Sequence, residues 1–456
     1  MLWVANKRAP LAVWGFGREG RAALHFLLAR RGVDAAPLTL FCRADEAAAA
    51  REMAPPERLL IETETPDAGT LAGFDIVLKS PGISAYTPAL LEARARGTQV
   101  SSGTALWFAQ RPDARVIAVT GTKGKSTTSA LIAHLARALG VRTALAGNIG
   151  LPLLELVQAQ ADLWVIELSS FQTREAGALE LGVITSLYTE HLDWHGSAEN
   201  YMADKLALAD VSQALLVNGT QPDLLERTAS HPGRQLFGGQ GRWHLADGFI
   251  CRDADRLFAI AELPLPGAHN ALNACAALAA LEHMGLDART AVPALARFQA
   301  LPHRQQSLGE RDGRTWINDS ISTTPQATLA ALRSFAEDAK VTVIVGGHDR
   351  GLDWSEFARA MAEHAPHAIL CQGANGQRIA RALRAAGVAC GEVADLAAAV
   401  DAARQHTPAG GTVLMSPGAP SFDQFRDYTA RGLRFAELAG FDTAPIRAID
   451  GLGVSG

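Results

Sequence analysis

Ile117-Ala118-Val119-Thr120-Gly121-Thr122-Lys123-Gly124-Lys125-Ser126-Thr127 is the stretch on which the reading of this chain turns. Residues 116–120 form a short apolar strand, and 126–139 read as a helix. A tight glycine-rich turn joins them. Glycines let a backbone wrap closely around phosphate oxygens, and the amides at a helix N-terminus point at an anion. In such a turn Lys125 neutralises the outer phosphates of a nucleotide, and Ser126 offers a hydroxyl to Mg2+. The strict form of the motif has a glycine five residues before Gly124, where this chain has Val119. A plain turn with a surface lysine is the bland alternative. It leaves the Gly-Lys-Ser-Thr core between an apolar strand and an apolar helix without a reason.

Upstream, residues 11–15 read as a buried strand followed by Gly15-Phe16-Gly17-Arg18-Glu19-Gly20 and a helix over 21–30. This matches a dinucleotide fingerprint, G-x-G-x-x-G. The end of the next strand, Phe41-Cys42-Arg43, lacks the acid that would hold an NAD ribose. A different pyrophosphate, or mere close packing of strand on helix, fits the turn equally well. Downstream, strands are expected at 163–167, 183–187 and 215–217, and irregular or hairpin structure over 219–265. A helix is expected over 270–284, then strands at 316–318, 341–345, 368–371 and 412–415 with helices between. Strand–helix alternation of this kind builds parallel sheets covered by helices. The expected architecture is α/β with domains at 1–102, 103–300 and 301–456: two Rossmann-like domains flanking a central phosphate-loop domain.

Composition agrees. The 456 residues suffice for about three domains. With 42 basic and 47 acidic residues the formal charge is −5, which argues against nucleic acid as a partner. No apolar run reaches the roughly 18 residues of a membrane span. No signal peptide is recognisable, so a cytoplasmic location is expected. The cysteines, Cys42, Cys251, Cys275, Cys371 and Cys390, are scattered and form no C-x-x-C pair. That fits free thiols and excludes a zinc ribbon.

Two carboxylate segments follow the phosphate loop. Glu167 closes the apolar strand of Val165-Ile166-Glu167-Leu168-Ser169-Ser170-Phe171-Gln172, and Thr189-Glu190-His191-Leu192-Asp193 follows another strand. Side chains at the C-terminal ends of parallel strands face the crevice where ligands bind. Mg2+ held by nucleotide phosphates takes one or two carboxylates, with waters filling the rest.

With these segments in order, the sequence resembles the Mur ligases over nearly its whole length. The resemblance rests on Gly121–Thr127, Gly147-Asn148-Ile149-Gly150, Glu167–Gln172, His191-Leu192-Asp193, His269-Asn270 with Asn273, Leu301-Pro302-His303-Arg304 and Asn318-Asp319-Ser320. A shorter set points to the glutamate-adding member: the Gly-rich first domain, Ser80-Pro81-Gly82-Ile83, and Ser416-Pro417 leading to Phe422-Asp423-Gln424-Phe425. It implies an ATP- and Mg2+-dependent ligase that joins glutamate to UDP-N-acetylmuramoyl-L-alanine through an acyl phosphate. The first domain would bind the UDP moiety, with Gly15, Gly17 and Ser80 on the substrate. Gly121, Thr122, Lys123, Gly124, Lys125, Ser126 and Thr127 would hold ATP. Asn270 and Asn273 would meet its adenine, and Arg304 and Asp319 would approach it from the third domain. Ser126, Glu167, His191 and Lys205 would form the magnesium site. Asn148, Thr323, Arg350, Ser421 and Tyr428 would contact substrate. Lys205 matches a lysine that is carbamylated in the family; from the residues alone it reads as a solvated helix lysine. Catalysis would rest on Lys125, His191 and Lys205. No partner protein is implied, and a monomer is expected.

The departures from the family pattern gather in the third domain. D-glutamate-adding ligases carry Asp-Ser-Lys-Ala-Thr-Asn where this chain has Asp319-Ser320-Ile321-Ser322-Thr323-Thr324, and Ser-Pro-Ala-Cys-Ala-Ser where it has Ser416-Pro417-Gly418-Ala419-Pro420-Ser421. Lys123 also replaces a usual asparagine. An amino-acid pocket changed while the ATP residues stay points to L-glutamate. Drift within a D-glutamate enzyme is the alternative. A folylpolyglutamate synthase-like ligase would lack the Gly-rich first domain. An NAD-dependent oxidoreductase would give Lys125 no role, and a non-catalytic nucleotide-binding regulator would not need Lys125, Glu167 and His191 together.

Overall fold

Five strands open the chain: β1 (Leu11–Trp14), β2 (Leu38–Phe41), β3 (Leu59–Glu62), β4 (Ile76–Lys79) and β5 (Gln99–Ser101). In the computed structural model, residues 9–455 are described except 33, 189–191, 266, 337, 447–448 and 450. β1, β2 and β4 are buried at every position, as expected of parallel strands covered on both faces. The strands pair in parallel in the order β3-β2-β1-β4-β5. That order reverses between β1 and β4, the place where a doubly wound sheet opens a crevice. The Gly15–Gly20 turn leaves β1 at this point. Its glycines have different reasons. Gly15 has φ +101°, and a Cβ there would lie 2.8 Å from Ser80 Oγ. At Gly20 a Cβ would run into the Gly15 carbonyl oxygen, so this glycine lets the helix Arg18–Arg30 press onto the strand. Around Gly17 nothing lies within 4 Å of such a Cβ.

The second sheet contains β6 (Val116–Thr120), β7 (Thr143–Gly147), β8 (Leu163–Glu167), β9 (Leu179–Ile184), β10 (Ser212–Asn218) and β11 (Arg234–Phe237). They are parallel in the order β11-β10-β9-β6-β8-β7. The segment expected to hold hairpins or irregular structure forms a small antiparallel sheet of β12 (Trp243–Ala246), β13 (Phe249–Arg252) and β14 (Asp255–Ala259). The strand expected at 183–187 ends at Ile184. Thr185 and Ser186 are instead loop residues whose hydroxyls turn to the phosphate loop.

A third large sheet has the order β15-β16-β20-β17-β18-β19, from β15 (Gln306–Arg311), β16 (Arg314–Asn318), β17 (Val341–Val345), β18 (Ala368–Cys371), β19 (Gly391–Glu392) and β20 (Thr412–Met415). Only its β15–β16 hairpin is antiparallel among these pairings. Trp354, Phe357 and Leu383 pack on one face of it, and Leu396, Val400 and Phe435 on the other. The last strand, β21 (Gly453–Ser455), pairs antiparallel with β7. The chain forms two compact units: Met1–Glu262 with Ala271–Ala296 and Gly451–Gly456, and Leu263–Asn270 with Arg297–Asp450. The first unit thus holds the first two large sheets. Among the described residues no helix is long and apolar enough to cross a membrane.

The glycine geometry separates two substitutions in one turn. Gly20→Ala should lower stability by about 1–3 kcal/mol, because backbone must move to admit the methyl group. Gly17→Ala should lower it by at most about 1 kcal/mol, through weaker capping of the helix. Denaturant unfolding of both variants checks this, and equal losses would contradict it.

Candidate functional site

The phosphate loop is built by close approach. β6 is buried along its length and ends at Thr120. Gly121 follows with φ +143°, and a Cβ on it would collide with Thr185 Oγ1. Gly124 has φ +87° and caps the helix Lys125–Ala138; a Cβ there would lie 2.6 Å from Asn273 Oδ1. The loop between them is held from outside. Ser186 Oγ accepts from the Lys123 amide at 2.8 Å, and Thr185 Oγ1 donates to the Lys123 carbonyl at 2.5 Å. Thr122 Oγ1 lies 2.8 Å from the Tyr201 hydroxyl. Lys125 Nζ donates to the Thr122 carbonyl at 3.1 Å, so its charge stays over the loop. Ser126 and Thr127 lie in the first helical turn. Thr128 Oγ1 donates to Asn273 Oδ1 at 3.2 Å. Asn270 and Asn273 lie three apart on the helix Ala268–His283, hence on one face, and both are buried.

Beside the loop, β8 ends in Glu167, whose carboxylate is fully buried. Asn148 Nδ2 donates to its Oε1 at 2.7 Å, while Oε2 has no hydrogen-bond partner. A buried carboxylate oxygen without a donor is costly unless a cation takes it. This orphaned oxygen, at the C-terminal end of a parallel strand beside a phosphate loop, fits Mg2+. Among the described residues no cluster of three or more His, Cys, Asp or Glu could hold a metal. A magnesium site made from one carboxylate, a serine hydroxyl and phosphate oxygens needs none. His191 lies outside the described residues.

Lys205 is not the solvated lysine that its sequence context suggests. It is buried, and its Nζ donates to the Gly121 carbonyl at 2.7 Å and to Thr120 Oγ1 at 3.4 Å. The helix Ala198–Asp210 turns Tyr201 and Lys205, one turn apart, onto the phosphate loop. Tyr201 and the Thr185–Ser186 pair were missed in the sequence. A strand expected to run to residue 187, three residues past the end of β9, hides those hydroxyls inside a strand.

In the second unit, Asp319 is buried at the end of β16. It accepts from Ser322 Oγ at 2.5 Å, Ser416 Oγ at 2.7 Å and the Gln305 amide at 3.0 Å, and burial pushes its carboxyl up. His303 is buried beside it with Nδ1 3.0 Å from Asn318 Nδ2, and burial pushes the imidazole down to about 4. Arg431 binds both loops that depart from the family pattern. Its Nε donates to Ser320 Oγ at 3.0 Å, Nη2 to the Ser320 carbonyl at 2.8 Å and Nη1 to the Ala419 carbonyl at 2.9 Å. Ser320 Oγ also donates to the Tyr428 carbonyl at 2.7 Å. Ser421 is buried, Thr323 half-buried and Arg350 exposed. Gly418 has φ +63°, and a Cβ there would lie 2.5 Å from the ring of Trp354.

Residues 119–281 match the Mur ligase middle domain, and 303–418 the Mur ligase, glutamate ligase domain. The chain is 49% identical over 462 residues to a UDP-N-acetylmuramoyl-L-alanine--L-glutamate ligase of Xanthomonas campestris pv. campestris, covering 97% of this chain and 98% of that one. It belongs to the Mur ligase family. Relatives with the same name in Xylella fastidiosa and Micromonospora sp. are 47% and 40% identical, covering 98% and 95% of this Mur ligase and 98% and 97% of their own lengths. Among solved structures, the UDP-N-acetylmuramate-alanine ligase of Thermotoga maritima is similar, with TM-score 0.61, 20% identity, and 94% and 99% of the two chains covered. A MurF ligase of Thermotoga maritima in complex with ADP has TM-score 0.58 at 16% identity, covering 96% of each. At these identities the likeness is one of fold.

One carboxyl of this Mur ligase behaves unusually. Glu19, in the first turn of the helix Arg18–Arg30, is pushed up to about 7, first by burial and then by the neighbouring Glu175 carboxylate. Glu175 itself accepts from Ser102 Oγ and pairs with the buried Lys79 ammonium at 3.5 Å. An acid whose pKa is raised by folding keeps its proton longer in the folded state than in the unfolded one. Stability therefore falls as pH rises from the ordinary carboxyl range to about 7, and the loss persists above. Glu19→Gln should flatten that fall and raise the melting temperature at pH 8. Thermal melts across this range test it; an unchanged slope would contradict it.

Proposed function

We propose that this Mur ligase joins glutamate to UDP-N-acetylmuramoyl-L-alanine, with ATP converted to ADP and phosphate, and that it prefers L-glutamate. The observation that carries this reading is the set of relatives named as L-glutamate ligases, 40–49% identical over at least 95% of the chain. The unpaired Glu167 oxygen, on the strand that pairs with β6, and the two lysines, Lys125 and Lys205, bound to phosphate-loop carbonyls support its ATP half.

An unactivated carboxylate is a poor electrophile, so ATP reacts first. An alanyl carboxylate oxygen bonds to the γ-phosphorus, the bond to the β–γ bridging oxygen breaks, and ADP leaves. The glutamate amine then bonds to the acyl carbon, the C–O bond to phosphate breaks, and a proton leaves the nitrogen. Lys125, held over the loop, offsets charge on the transferred group. The loop amides and the helix N-terminus orient the phosphates. In this reading Asn270 and Asn273 meet the adenine, and Arg304 and Asp319 are further ATP contacts. Ser126, Glu167, His191 and a carbamylated Lys205 would hold Mg2+, which supplies charge neutralisation at the phosphates. Gly15, Gly17, Ser80 and Asn148 serve the UDP-linked substrate, and Thr323, Arg350, Ser421 and Tyr428 the amino acid.

The preference for L-glutamate also has a local argument. With the amine fixed on the acyl carbon, inverting the hand moves the α-carboxylate or the side chain. Ile321 removes a lysine charge from the loop that Arg431 clamps. Gly418 is packed on Trp354 with a left-handed backbone, so the alanine of the D-glutamate pattern does not fit there.

Two measurements test this. Lys125→Ala should cut turnover on the order of 100-fold or more without moving the melting temperature. With the unmodified protein, phosphate release on L-glutamate should exceed that on D-glutamate, since a carboxylate left poorly paired costs on the order of 2–5 kcal/mol. Ile321→Lys should shift the ratio of kcat/KM values toward D-glutamate. Turnover with D-glutamate alone would identify an ordinary D-glutamate ligase whose loop changes are drift.

A further inference from the structure

Ser170, His195 and Asp204 form a buried hydrogen-bonded chain in the first unit, and no role above uses it. His195 Nδ1 lies 2.6 Å from Asp204 Oδ2, and Nε2 lies 3.0 Å from Ser170 Oγ. His195 and Asp204 are 0% and 2% exposed. The arrangement looks like a serine nucleophile with its base, yet Ser170 is itself only 4% exposed. The Asp204 end is the more informative. Its carboxylate also accepts from the Tyr86 hydroxyl, at 2.9 Å and 3.0 Å to its two oxygens, and from Arg174 Nε. Its backbone carbonyl accepts from Thr173 Oγ1 at 2.5 Å.

These partners arrive from separate places. Tyr86 comes from the segment after β4, Thr173 and Arg174 from the turn after β8, and His195 from the single helical turn Leu192–His195 before the helix Ala198–Asp210. That turn is pinned in its own right: Trp194 Nε1 donates to the Pro81 carbonyl at 3.1 Å, and Ser84 Oγ to the Trp194 carbonyl at 2.6 Å. Contacts converging from several segments fix the helix both in rotation and along its axis. The next residue on that helix is Lys205, with Nζ on the Gly121 carbonyl. A slip of one residue would carry the amine off the phosphate loop.

We propose that Asp204 is a positioning residue: gripped by His195, Tyr86 and Arg174, it holds Lys205 on the phosphate loop beside Glu167. The proposal rests on the reading of Lys205 as a magnesium-site residue. A carboxylate is needed at this position because all its side-chain partners donate. An asparagine would set its own N–H2 against one of them.

The test is binding of a non-hydrolysable ATP analogue, by titration calorimetry with bicarbonate present, with and without MgCl2. It is run on the unmodified protein, Asp204→Asn, Lys205→Ala and the double variant. Asp204→Asn should leave the metal-free affinity unchanged and reduce the gain from Mg2+ roughly tenfold or more, the size typical of lost support behind a metal ligand. The double variant should be no worse than Lys205→Ala, because Asp204 acts through Lys205. A merely structural residue would lower metal-free affinity too, and its loss would add to that of Lys205→Ala. Either result, or a full Mg2+ gain in Asp204→Asn, overturns the proposal. A full gain in Lys205→Ala overturns the underlying reading as well, which sets that failure apart. Tyr86→Phe keeps the ring against Trp194 and removes only the hydroxyl. It serves if Asp204→Asn does not fold: a reduced Mg2+ gain supports the proposal, and an unchanged one counts against it.

Discussion

A side chain cannot be placed at Gly121. The backbone there passes so close to Thr185 that a Cβ would overlap the hydroxyl, and its φ of +143° suits glycine alone. This close approach sets the path of the loop, and the loop sets the rest of the site. With the backbone held down at Gly121 and again at Gly124, the helix Lys125–Ala138 starts with its free amides at the loop. The Thr185 and Ser186 hydroxyls then hold Lys123 from the far side.

The remaining groups reach the loop through sheet order. β6 lies between β9 and β8, and β7 follows β8. All four are parallel, so their C-terminal ends deliver Thr185, Gly121, Glu167 and Asn148 along one edge. Val119 pairs with Glu167, and Glu167 with Gly147, which fixes the carboxylate one strand from the loop and beside Asn148. Lys205 joins from a helix, and needs outside support that a strand end does not. In the second unit the buried Arg431 plays a comparable part, gathering the 319–323 and 416–421 loops with donors to neutral acceptors. Burial lowers its guanidinium to about 10.

What could be read in the sequence follows from these facts. The strands β1, β6, β8 and β17, buried throughout, and β20, buried past its first residue, were legible because a parallel core strand writes itself as an apolar run. β3 and β15 were not, since edge strands with exposed positions carry no such run. β7 was hidden by its small residues, Thr143-Ala-Leu-Ala-Gly. The loop glycines and Glu167 were visible because backbone geometry and strand ends restrict residue type locally. The burial of Lys205, the hold of Tyr201 on Thr122 and the convergence on Asp204 come from contacts between distant segments. A lysine or an aspartate on a helix shows nothing of them.

The account stands or falls on where the nucleotide phosphates lie. A crystal structure with Mg2+ and a non-hydrolysable ATP analogue would show it directly. The phosphates should lie on the Gly121–Ser126 turn within reach of Lys125, with the metal contacting Glu167 Oε2. A nucleotide seated instead on the Gly15–Gly20 turn, with Glu167 Oε2 still unpartnered, would contradict it.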